Sequence, residues 1–286
     1  MTLVPTFFVC SQGGCSKLQI FHASHNNLSG SHPEDIYNAT KLEELILPLN
    51  SLNGAISEII SNLTHLVILD LYYNHLSGVI QSNFGKLSKL KFMYFDFSSL
   101  EGNLPPSLIN CTNLLGIHLG FNYLEGDLTT PNFSKLSHLS KLDLLGITSQ
   151  LSNLKSLVIL QLIGNQITRS IPSWLGTLPK LFYMEMPANQ ISGEFPKQLC
   201  RLPMLMVNAS PVNGYEFELP LFNSNVLLSW NNRPIPTEIG QLQLLHGWNL
   251  GGYNFSGNIP DQISNIEYLE GLNLSTNHVS GKSPRQ

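Results

Sequence analysis

The chain has 286 residues, of which 42% are hydrophobic, and its formal net charge is -4 at pH 7. Charged residues make up only 12% of the sequence, so no basic surface for nucleic acid or anionic lipid is predicted. No apolar run approaches the roughly 18 to 20 residues that a membrane-spanning helix requires, so direct membrane insertion by this chain is not predicted.

The segment at residues 66–80 defines a unit that recurs along the chain. Leu66, Leu69 and Leu71 are followed by Asn74, with spacings of three, two and three residues. Because side chains alternate along a strand, Leu69 and Leu71 are predicted to point inward together. Asn74 stands where the chain must turn, and its amide can satisfy backbone groups that the turn leaves unpaired. One such unit cannot bury its own apolar face, so copies must stack against it.

The copies are marked by the asparagine position, which recurs at steps of 24 residues within three groups. These groups are Asn26, Asn50, Asn74, Ser98 and Asn122; Asn165 and Asn189; and Tyr253 and Asn277. The pattern L-x-x-L-x-L-x-x-N-x-L is that of the leucine-rich repeat, and SGNIP at 256–260 resembles its plant extracellular subtype. The sequence therefore predicts an α/β leucine-rich repeat solenoid, a right-handed horseshoe or superhelix with a parallel concave β-sheet.

In chain order, residues 1–17 are interpreted as an incomplete leader, too short to provide a proper cap for the first strand. No Lys or Arg precedes their apolar run, so they match a signal peptide poorly. Leucine-rich repeats follow over 18–199. Within them, Ser98 replaces the asparagine of the fourth repeat, which predicts a looser turn there. A shortened repeat is predicted near 145–153, because Ile147 stands where the next asparagine is expected.

Residues 200–235 interrupt the repeat pattern a second time. They are interpreted either as a degenerate repeat or as the remnant of an inserted island. Leucine-rich repeats resume over 236–286, and no C-terminal cap is predicted to follow them.

The four cysteines do not require a disulfide framework. Cys15 and Cys111 each stand three residues before a repeat leucine, at an inward-facing position, and Cys200 occupies a place that glycine takes in the preceding repeat. Buried free thiols are therefore predicted. A disulfide between Cys10 and Cys15 is the alternative.

Eight N-x-[ST] sequences suit an extracellular, glycosylated surface, although a repeat rich in Asn and Ser also generates such sequences by itself. Asn273 is predicted to project from the strand face, where a glycan would obstruct ligands. The candidates for glycosylation are therefore the other seven: Asn27, Asn38, Asn62, Asn110, Asn132, Asn208 and Asn254.

No catalytic constellation is present, so the chain is not predicted to be an enzyme. The GKS sequence at 281–283 lacks the upstream glycine of a phosphate-binding loop, and the motifs of a protein kinase are missing. His22 and His25 form an H-x-x-H sequence, but neither a metal site nor any other cofactor is predicted for them.

Binding is the remaining class of function, and the repeat register indicates where it would occur. Outward positions of successive strands form columns with a spacing of about 4.8 Å, which suits an extended peptide. A cluster of aromatic and charged side chains falls in the third to fifth repeats: Asp70, Tyr72, Tyr73, Phe92, Tyr94, Asp96, Phe97, His118 and Phe121. These are the candidate ligand-binding residues on the concave face. The alternative is that bulky side chains only cover the neighbouring repeats.

Longer phrases extend the resemblance beyond the repeat signature. They include IPSWLGTLPKLFYMEMPANQISGEFPKQLCRLP at 171–203, PTEIGQLQLL at 236–245 and NFSGNIPDQISN at 254–265. With these phrases, nearly the whole chain resembles the ectodomains of plant leucine-rich repeat receptor-like kinases and receptor-like proteins. The resemblance is strongest to the tyrosine-sulfated glycopeptide receptor group, which is related to the phytosulfokine receptors.

The resemblance implies a peptide-binding or protein-binding region of a plant cell-surface receptor, exposed at the plasma membrane and active in peptide hormone perception and signal transduction. It implies an extracellular peptide as partner, with tyrosine sulfation as one chemistry, or a protein, together with a co-receptor kinase. The signal peptide, membrane helix and Ser/Thr kinase of such receptors are missing, so a truncated chain is expected. Lys141 is the one clear basic candidate for a sulfate on the predicted columns.

Two other interpretations of the function stay open. One is a soluble decoy or inhibitor that binds another protein through the same face. The other is a non-functional fragment of a receptor kinase gene, which the missing caps and the two breaks in register favour over a decoy.

Overall fold

The computed structural model describes residues 15–31, 34–124, 135–143, 152–161, 170–185, 194–206, 233–251 and 254–281. The chain divides into two compact units, Met1–Leu157 and Val158–Gln286. Most of the predicted short repeat near 145–153 and of the irregular segment 200–235 lies outside the described residues, as do Asn132 and Asn208.

The first unit consists of short strands that alternate between two parallel sheets. Its strands are β1 (Ile20–His22), β2 (Ser29–Gly30), β3 (Glu44–Ile46), β4 (Ser51–Ala55), β5 (Ile68–Asp70), β6 (His75–Val79), β7 (Phe92–Tyr94), β8 (Ser99–Gly102), β9 (Gly116–His118), β10 (Tyr123–Leu124) and β11 (Lys141–Asp143). The odd-numbered strands pair in chain order from β1 to β11, and the even-numbered strands pair in chain order from β2 to β10. Each repeat therefore contributes one strand to each sheet.

Short 3-10 helices connect the second strand of one repeat to the first strand of the next. In the first unit they span Glu34–Asn38, Glu58–Asn62, Ser82–Lys86 and Pro106–Asn110. Pro106 starts the last of these helices, where the fixed φ of proline fits and its missing N–H is no loss.

The second unit repeats this construction with shorter sheets. Its strands are β12 (Ile159–Gln161), β13 (Tyr183–Glu185), β14 (Arg233–Pro234), β15 (Gly247–Asn249), β16 (Phe255–Asn258), β17 (Gly271–Asn273) and β18 (His278–Ser280), and its 3-10 helices are Ser173–Thr177, Lys197–Arg201, Pro203–Leu205, Thr237–Gln241 and Asp261–Asn265. Strand β12 pairs with β13, β15 pairs with β17, and β16 lies between β14 and β18, all in parallel.

The core of the first unit follows from the alternation of side chains along the odd-numbered strands. In β3, β5, β7 and β9 the central residue and the residue two positions later are at most 1% exposed, as is the central residue of β11; in β1 the central Phe21 is half-buried. The residues at most 1% exposed are Leu45, Leu47, Leu69, Leu71, Met93, Phe95, Ile117, Leu119 and Leu142. Neighbouring strands are in register one repeat apart, so these side chains stack on their own equivalents. The predicted leucine-rich repeat stack is confirmed.

An asparagine in four of the described turns joins its own repeat to the preceding one. The Asn74 amide donates to the backbone oxygens of Leu47 and Leu71, both at 3.0 Å, and its Oδ1 accepts from the Leu52 N–H at 3.0 Å. The same set of contacts recurs at three other positions: Asn50, Asn122 and Asn277. One side chain thus supplies hydrogen-bond partners to three backbone groups that have none in the sheets because the chain turns there.

The residue before the asparagine position of a turn adopts a left-handed backbone conformation, also where Asn26 or Ser98 occupies that position. The φ angles lie between 51° and 56° at His25, Leu49, Tyr73, Phe97, Phe121 and Thr276. Such φ values are uncommon for residues other than glycine, and most uncommon for bulky ones. The turn therefore fixes both the strain and the direction of the side chain at this position.

The cysteines follow the prediction at two positions and depart from it at a third. Cys111 and Cys200 are free and buried, as predicted, and burial raises the pKa of the Cys111 thiol to about 11 and that of Cys200 to about 12. Cys15 is disulfide-bonded and is not fully buried, so the prediction of a buried free thiol there was wrong. Its position before the first strand leaves it with no preceding repeat among the described residues to cover it.

Ser98 keeps the turn but not the hydrogen bonds of the position it occupies. Phe97 has a φ of 55°, like the equivalent residues in the other turns. The backbone of this turn therefore does not show the change that the prediction of a looser turn implied. However, the Ser98 Oγ is buried without a hydrogen-bond partner among the described residues. The serine side chain is too short to reach the groups that the asparagines contact.

Replacing Ser98 by Asn is expected to raise the free energy of unfolding by about 1 to 2 kcal/mol, because each net hydrogen bond contributes about 1 kcal/mol. By equivalence with Asn122, the new amide would donate to the backbone oxygens of Leu71 and Phe95. Denaturant unfolding followed by circular dichroism measures the change. Ser99→Asn, at an exposed neighbour, is the matched control and should change the stability by less than about 0.5 kcal/mol. An unchanged or lower stability of Ser98→Asn would contradict this account of the turn.

Candidate functional site

Three aromatic side chains lie together on the solvent-facing side of β7 and β9, and we call them the inner cluster: Phe92, Tyr94 and His118. The rings of Phe92 and Tyr94 stack with centroids 5.9 Å apart, and Tyr94 meets His118 edge-on at 4.7 Å. Gly116 is in register with Phe92, and a Cβ at Gly116 would lie 3.1 Å from the Phe92 ring. The glycine therefore leaves the space that the Phe92 ring occupies.

A second group lies in the turns that follow the strands, and we call it the outer cluster: Tyr72, Tyr73, Phe97 and Phe121. Phe97 and Phe121 stack with centroids 4.2 Å apart, and Tyr72 meets Phe97 edge-on at 5.5 Å. Tyr73, Phe97 and Phe121 are 51%, 37% and 39% exposed. All three occupy the left-handed position of the turn, which costs on the order of 1 kcal/mol or more for each residue. The fold thus holds three consecutive rings in solvent.

Asp70 adjoins the inner cluster. It is in register with Tyr94, and its Oδ1 accepts the Tyr72 N–H at 3.0 Å. Burial raises the pKa of Asp70, and the hydrogen bond from Tyr72 opposes that shift. The pKa of Tyr94 is raised by burial first and then by the negative charges of Asp70 and Asp96. The tyrosine hydroxyl therefore stays protonated beside the acids.

Asp96 lies beneath this surface rather than on it. It is only 6% exposed, although the column pattern placed it outward, and its Oδ1 accepts the Gly120 N–H at 2.9 Å. Burial raises the pKa of Asp96 to about 6, while hydrogen bonds from Asp143 and from Gly120 oppose the rise. Asp143 is 7% exposed, and a Cβ at Gly120 would lie 2.6 Å from its Oδ2. The Asp143 carboxyl group therefore occupies the space that a side chain at position 120 would take.

His118 completes the acid cluster. Its Nδ1 lies 4.0 Å from the Asp96 Oδ2. Burial lowers the pKa of His118 to about 4, and the positive charge of Lys141 contributes to the same shift. The imidazole is therefore uncharged at neutral pH and does not compensate the nearby carboxylates.

Asp96, His118 and Asp143 are the described residues whose ligand atoms come close enough to hold a metal ion, all within 4.8 Å of one another. The sequence predicted no metal site. Asp96 accepts the Gly120 N–H, and a hydrogen bond donated by a protonated Asp143 to Asp96 brings the two carboxyl groups close together. We therefore describe this group as a hydrogen-bonded acid pair beside a neutral imidazole.

All nine side chains that the sequence singled out lie in this region, in the two clusters and at Asp70 and Asp96. Asp143 was not among them. It is in register with His118, as Tyr94 is with Asp70, so it belongs to the outward column from which the other residues were chosen. The signal that could have identified it was its strand position.

Three of the candidate glycosylation sites lie on 3-10 helices and not on the strands and turns that carry the two clusters. Asn38, Asn62 and Asn110 are exposed and each ends a 3-10 helix, and Asn27 is exposed before β2. Asn254 is half-buried. Asn273 lies exposed on β17, on the face where the sequence predicted that a glycan would obstruct ligands.

The ionisations of Asp96 and His118 have opposite effects on stability over the same pH range. The folded-state pKa of Asp96 is raised, so its contribution is present below about pH 4 and is lost as the pH rises to about 6. The folded-state pKa of His118 is lowered, so its contribution is present above about pH 6.5 and is lost as the pH falls to about 4. In the wild-type chain the two groups therefore change the free energy of unfolding in opposite directions as the pH rises.

Single substitutions are expected to reveal the pH dependence that each group contributes to the free energy of unfolding. Relative to wild type, the free energy of unfolding of Asp96→Asn should rise between about pH 4 and 6, whereas that of His118→Gln should fall between about pH 4 and 6.5. Denaturant unfolding at a series of pH values measures both differences. Protein from a bacterial host is required, because Asp96→Asn completes an N-x-S sequence with Ser98. Differences of the same sign would show that the ionisations are not coupled to folding in this way.

Comparisons with known proteins agree with the fold. The model of the Leucine Rich Repeat matches residues 17–39, 65–87 and 156–178. No curated protein sequence matches the chain. The segments that match are thus repeats of a protein-binding fold and not parts of a catalytic domain.

Solved structures of plant receptors are similar over most of the chain. The ectodomain of the Arabidopsis thaliana receptor kinase GASSHO1/SCHENGEN3, in complex with CASPARIAN STRIP INTEGRITY FACTOR 2, is 31% identical with a TM-score of 0.72, over 95% of this chain and 31% of that one. The plant peptide hormone receptor RGFR1 in complex with RGF2 is 28% identical with a TM-score of 0.75, over 94% of this chain and 41% of that one.

The Arabidopsis receptor kinase HAESA, in complex with the peptide hormone IDA and the co-receptor SERK1, is 28% identical with a TM-score of 0.73, over 92% of this chain and 42% of that one. The chain therefore spans about a third to two fifths of the length of these ectodomains. It has the leucine-rich repeat solenoid fold and resembles the peptide-hormone-binding ectodomains of plant receptor kinases.

Proposed function

We propose that this chain is the peptide-binding region of a plant cell-surface receptor-like protein, and that it recognises an extended extracellular peptide across β5, β7 and β9. The observation that carries the proposal is the pair of aromatic clusters on and beside these strands. Similar ectodomains are in complex with peptide hormones, which supports the same class of ligand here.

The exposed rings are not needed to complete the core. Leu71, Phe95 and Leu119, which lie inward in the same three repeats, are already fully buried. Tyr73, Phe97 and Phe121 nevertheless remain in solvent, so covering the neighbouring repeats does not explain them. Exposed aromatic side chains held in fixed positions supply most of the binding energy in many protein interfaces.

The spacing of the parallel strands suits a peptide that lies across them. Equivalent side chains on β5, β7 and β9 stand about 4.8 Å apart, and an extended peptide advances about 3.3 Å per residue. A peptide laid across the strands would therefore contact several repeats at once. This is the side that the sequence predicts to be concave.

The proposed setting is the extracellular side of the plasma membrane, where the chain would contribute to signal transduction together with a co-receptor kinase. HAESA is seen with the co-receptor SERK1, which supports this arrangement. Glycans at Asn38, Asn62 and Asn110 would leave the strand face open, because these residues lie on 3-10 helices. No helix of the described chain has the length and apolarity to cross a bilayer.

Removing the rings at positions 97 and 121 is expected to weaken peptide binding by about tenfold or more. The double variant Phe97→Gly/Phe121→Gly tests this, because glycine adopts the left-handed conformation without strain and the turns are preserved. Peptides of about 12 residues would first be selected from a displayed random library against the whole wild-type chain. Their affinities for each variant would then be measured by fluorescence anisotropy.

Thr276→Gly is the matched control, because Thr276 has the same φ and the same place in the turn but lies in the second unit. It should bind the selected peptides as the wild-type chain does, and circular dichroism should show that every variant is folded. Equal affinity for the double variant and the wild type would exclude the outer cluster as the binding surface. Failure to select any peptide would contradict peptide binding itself.

A further inference from the structure

The charges on the odd-numbered strands of the first unit are unevenly distributed. These strands carry the carboxylates Glu44, Asp70 and Asp143, but Lys141 is their only Lys or Arg. Glu44 is already paired with His22, whose Nε2 lies 2.7 Å from the Glu44 Oε2. At the centre of this face, Asp70 therefore has no Lys or Arg on its own strand or on the two strands beside it.

Asp70 is the acid that is both accessible and without a cationic partner. It is half-buried, and no Lys or Arg among the described residues lies within salt-bridge distance of it. Its hydrogen bond from the Tyr72 N–H occupies one oxygen only. The other oxygen remains available to a charged donor.

The rings beside Asp70 suit an organic cation. Tyr94 is in register with Asp70 on the next strand, so its ring stands beside the carboxylate, and Phe92 stacks on Tyr94. A guanidinium or ammonium group gains from contact with aromatic faces as well as from the carboxylate. His118, which touches Tyr94, is uncharged at neutral pH and offers no repulsion.

We infer that Asp70 and the inner cluster bind the cationic side chain of an arginine or lysine in an extended peptide, an inference that rests on the proposed function. Arginine is preferred, because its planar guanidinium can stack on Tyr94 while it donates to the free Asp70 oxygen. Apolar residues next to it in the peptide would contact the outer cluster.

The same charges argue against a sulfated tyrosine at this position. A sulfate needs cationic or backbone donors, whereas Tyr94 lies beside the negative charges of Asp70 and, beneath the surface, of Asp96. The peptide ligand of this surface is therefore distinguished by a positive charge, not by the anionic group that the resemblance implied.

Four pools of synthetic peptides of about 12 residues test the inference, each randomised over apolar and small residues around one fixed central residue. The central residue is arginine, its neutral isostere citrulline, glutamate or sulfotyrosine. Retention of each pool on the immobilised whole chain is measured at low salt. We expect the arginine pool to be retained at least about fivefold more than the citrulline pool, and the difference to shrink as the salt rises from about 0.05 to about 0.5 M.

Asp70→Asn should bring the ratio of arginine to citrulline retention close to one, because it removes the charge and keeps the shape and the acceptor for Tyr72. Asp261→Asn, at an exposed acid in a 3-10 helix of the second unit, is the matched control and should keep the wild-type ratio. Circular dichroism verifies that both variants are folded.

If Asp70→Asn does not fold, the retention of the four pools on the wild-type chain tests the inference by itself. Equal retention of the arginine and citrulline pools, or stronger retention of the glutamate or sulfotyrosine pool, would overturn the inference while peptide binding stands. Retention of none of the pools, together with failure of the random library to yield a peptide, would overturn the proposed function as well.

Discussion

The stack of repeats depends largely on the hydrogen bonds that an asparagine side chain makes inside most of the described turns. A repeat must send the chain from one parallel sheet into the other, and the turn removes backbone groups from both ladders. Asn50, Asn74 and Asn122 return partners to those groups at 2.8 to 3.0 Å, within the buried part of the repeat. Since a buried backbone group without a partner costs on the order of 1 to 3 kcal/mol, this side chain makes the stack possible.

The same turn explains why the candidate surface is aromatic and exposed. The residue before each asparagine position is held at a positive φ, so whichever side chain stands there is directed outward. In three neighbouring repeats the sequence places Tyr73, Phe97 and Phe121 at this position, and their rings meet. The backbone conformation at this position is the same in these repeats, and only the residue type decides whether the turn exposes an aromatic ring.

The repeat period made most of the fold predictable from the sequence. A fixed step of 24 residues determined which side chains are inward, where the turns lie and which residues share a column, so the core and the grouping of the nine candidate residues followed. Asp96 and Asp143 could not be placed so well, because their burial depends on contacts between neighbouring repeats, such as the space that Gly120 leaves for the Asp143 carboxyl group. Cys15 differed because the period says nothing about the residue that precedes the first strand.

Ser98 has a consequence for the dynamics of the surface. It stands in the repeat that contributes Phe92 and Tyr94 to the inner cluster and Phe97 to the outer cluster. Its turn lacks the side-chain hydrogen bonds seen in the turns on either side. Local opening needs less free energy where fewer buried hydrogen bonds are broken. The centre of the surface is therefore more compliant than its edges, so Phe97 can shift to fit a ligand while the neighbouring repeats hold the strands in place.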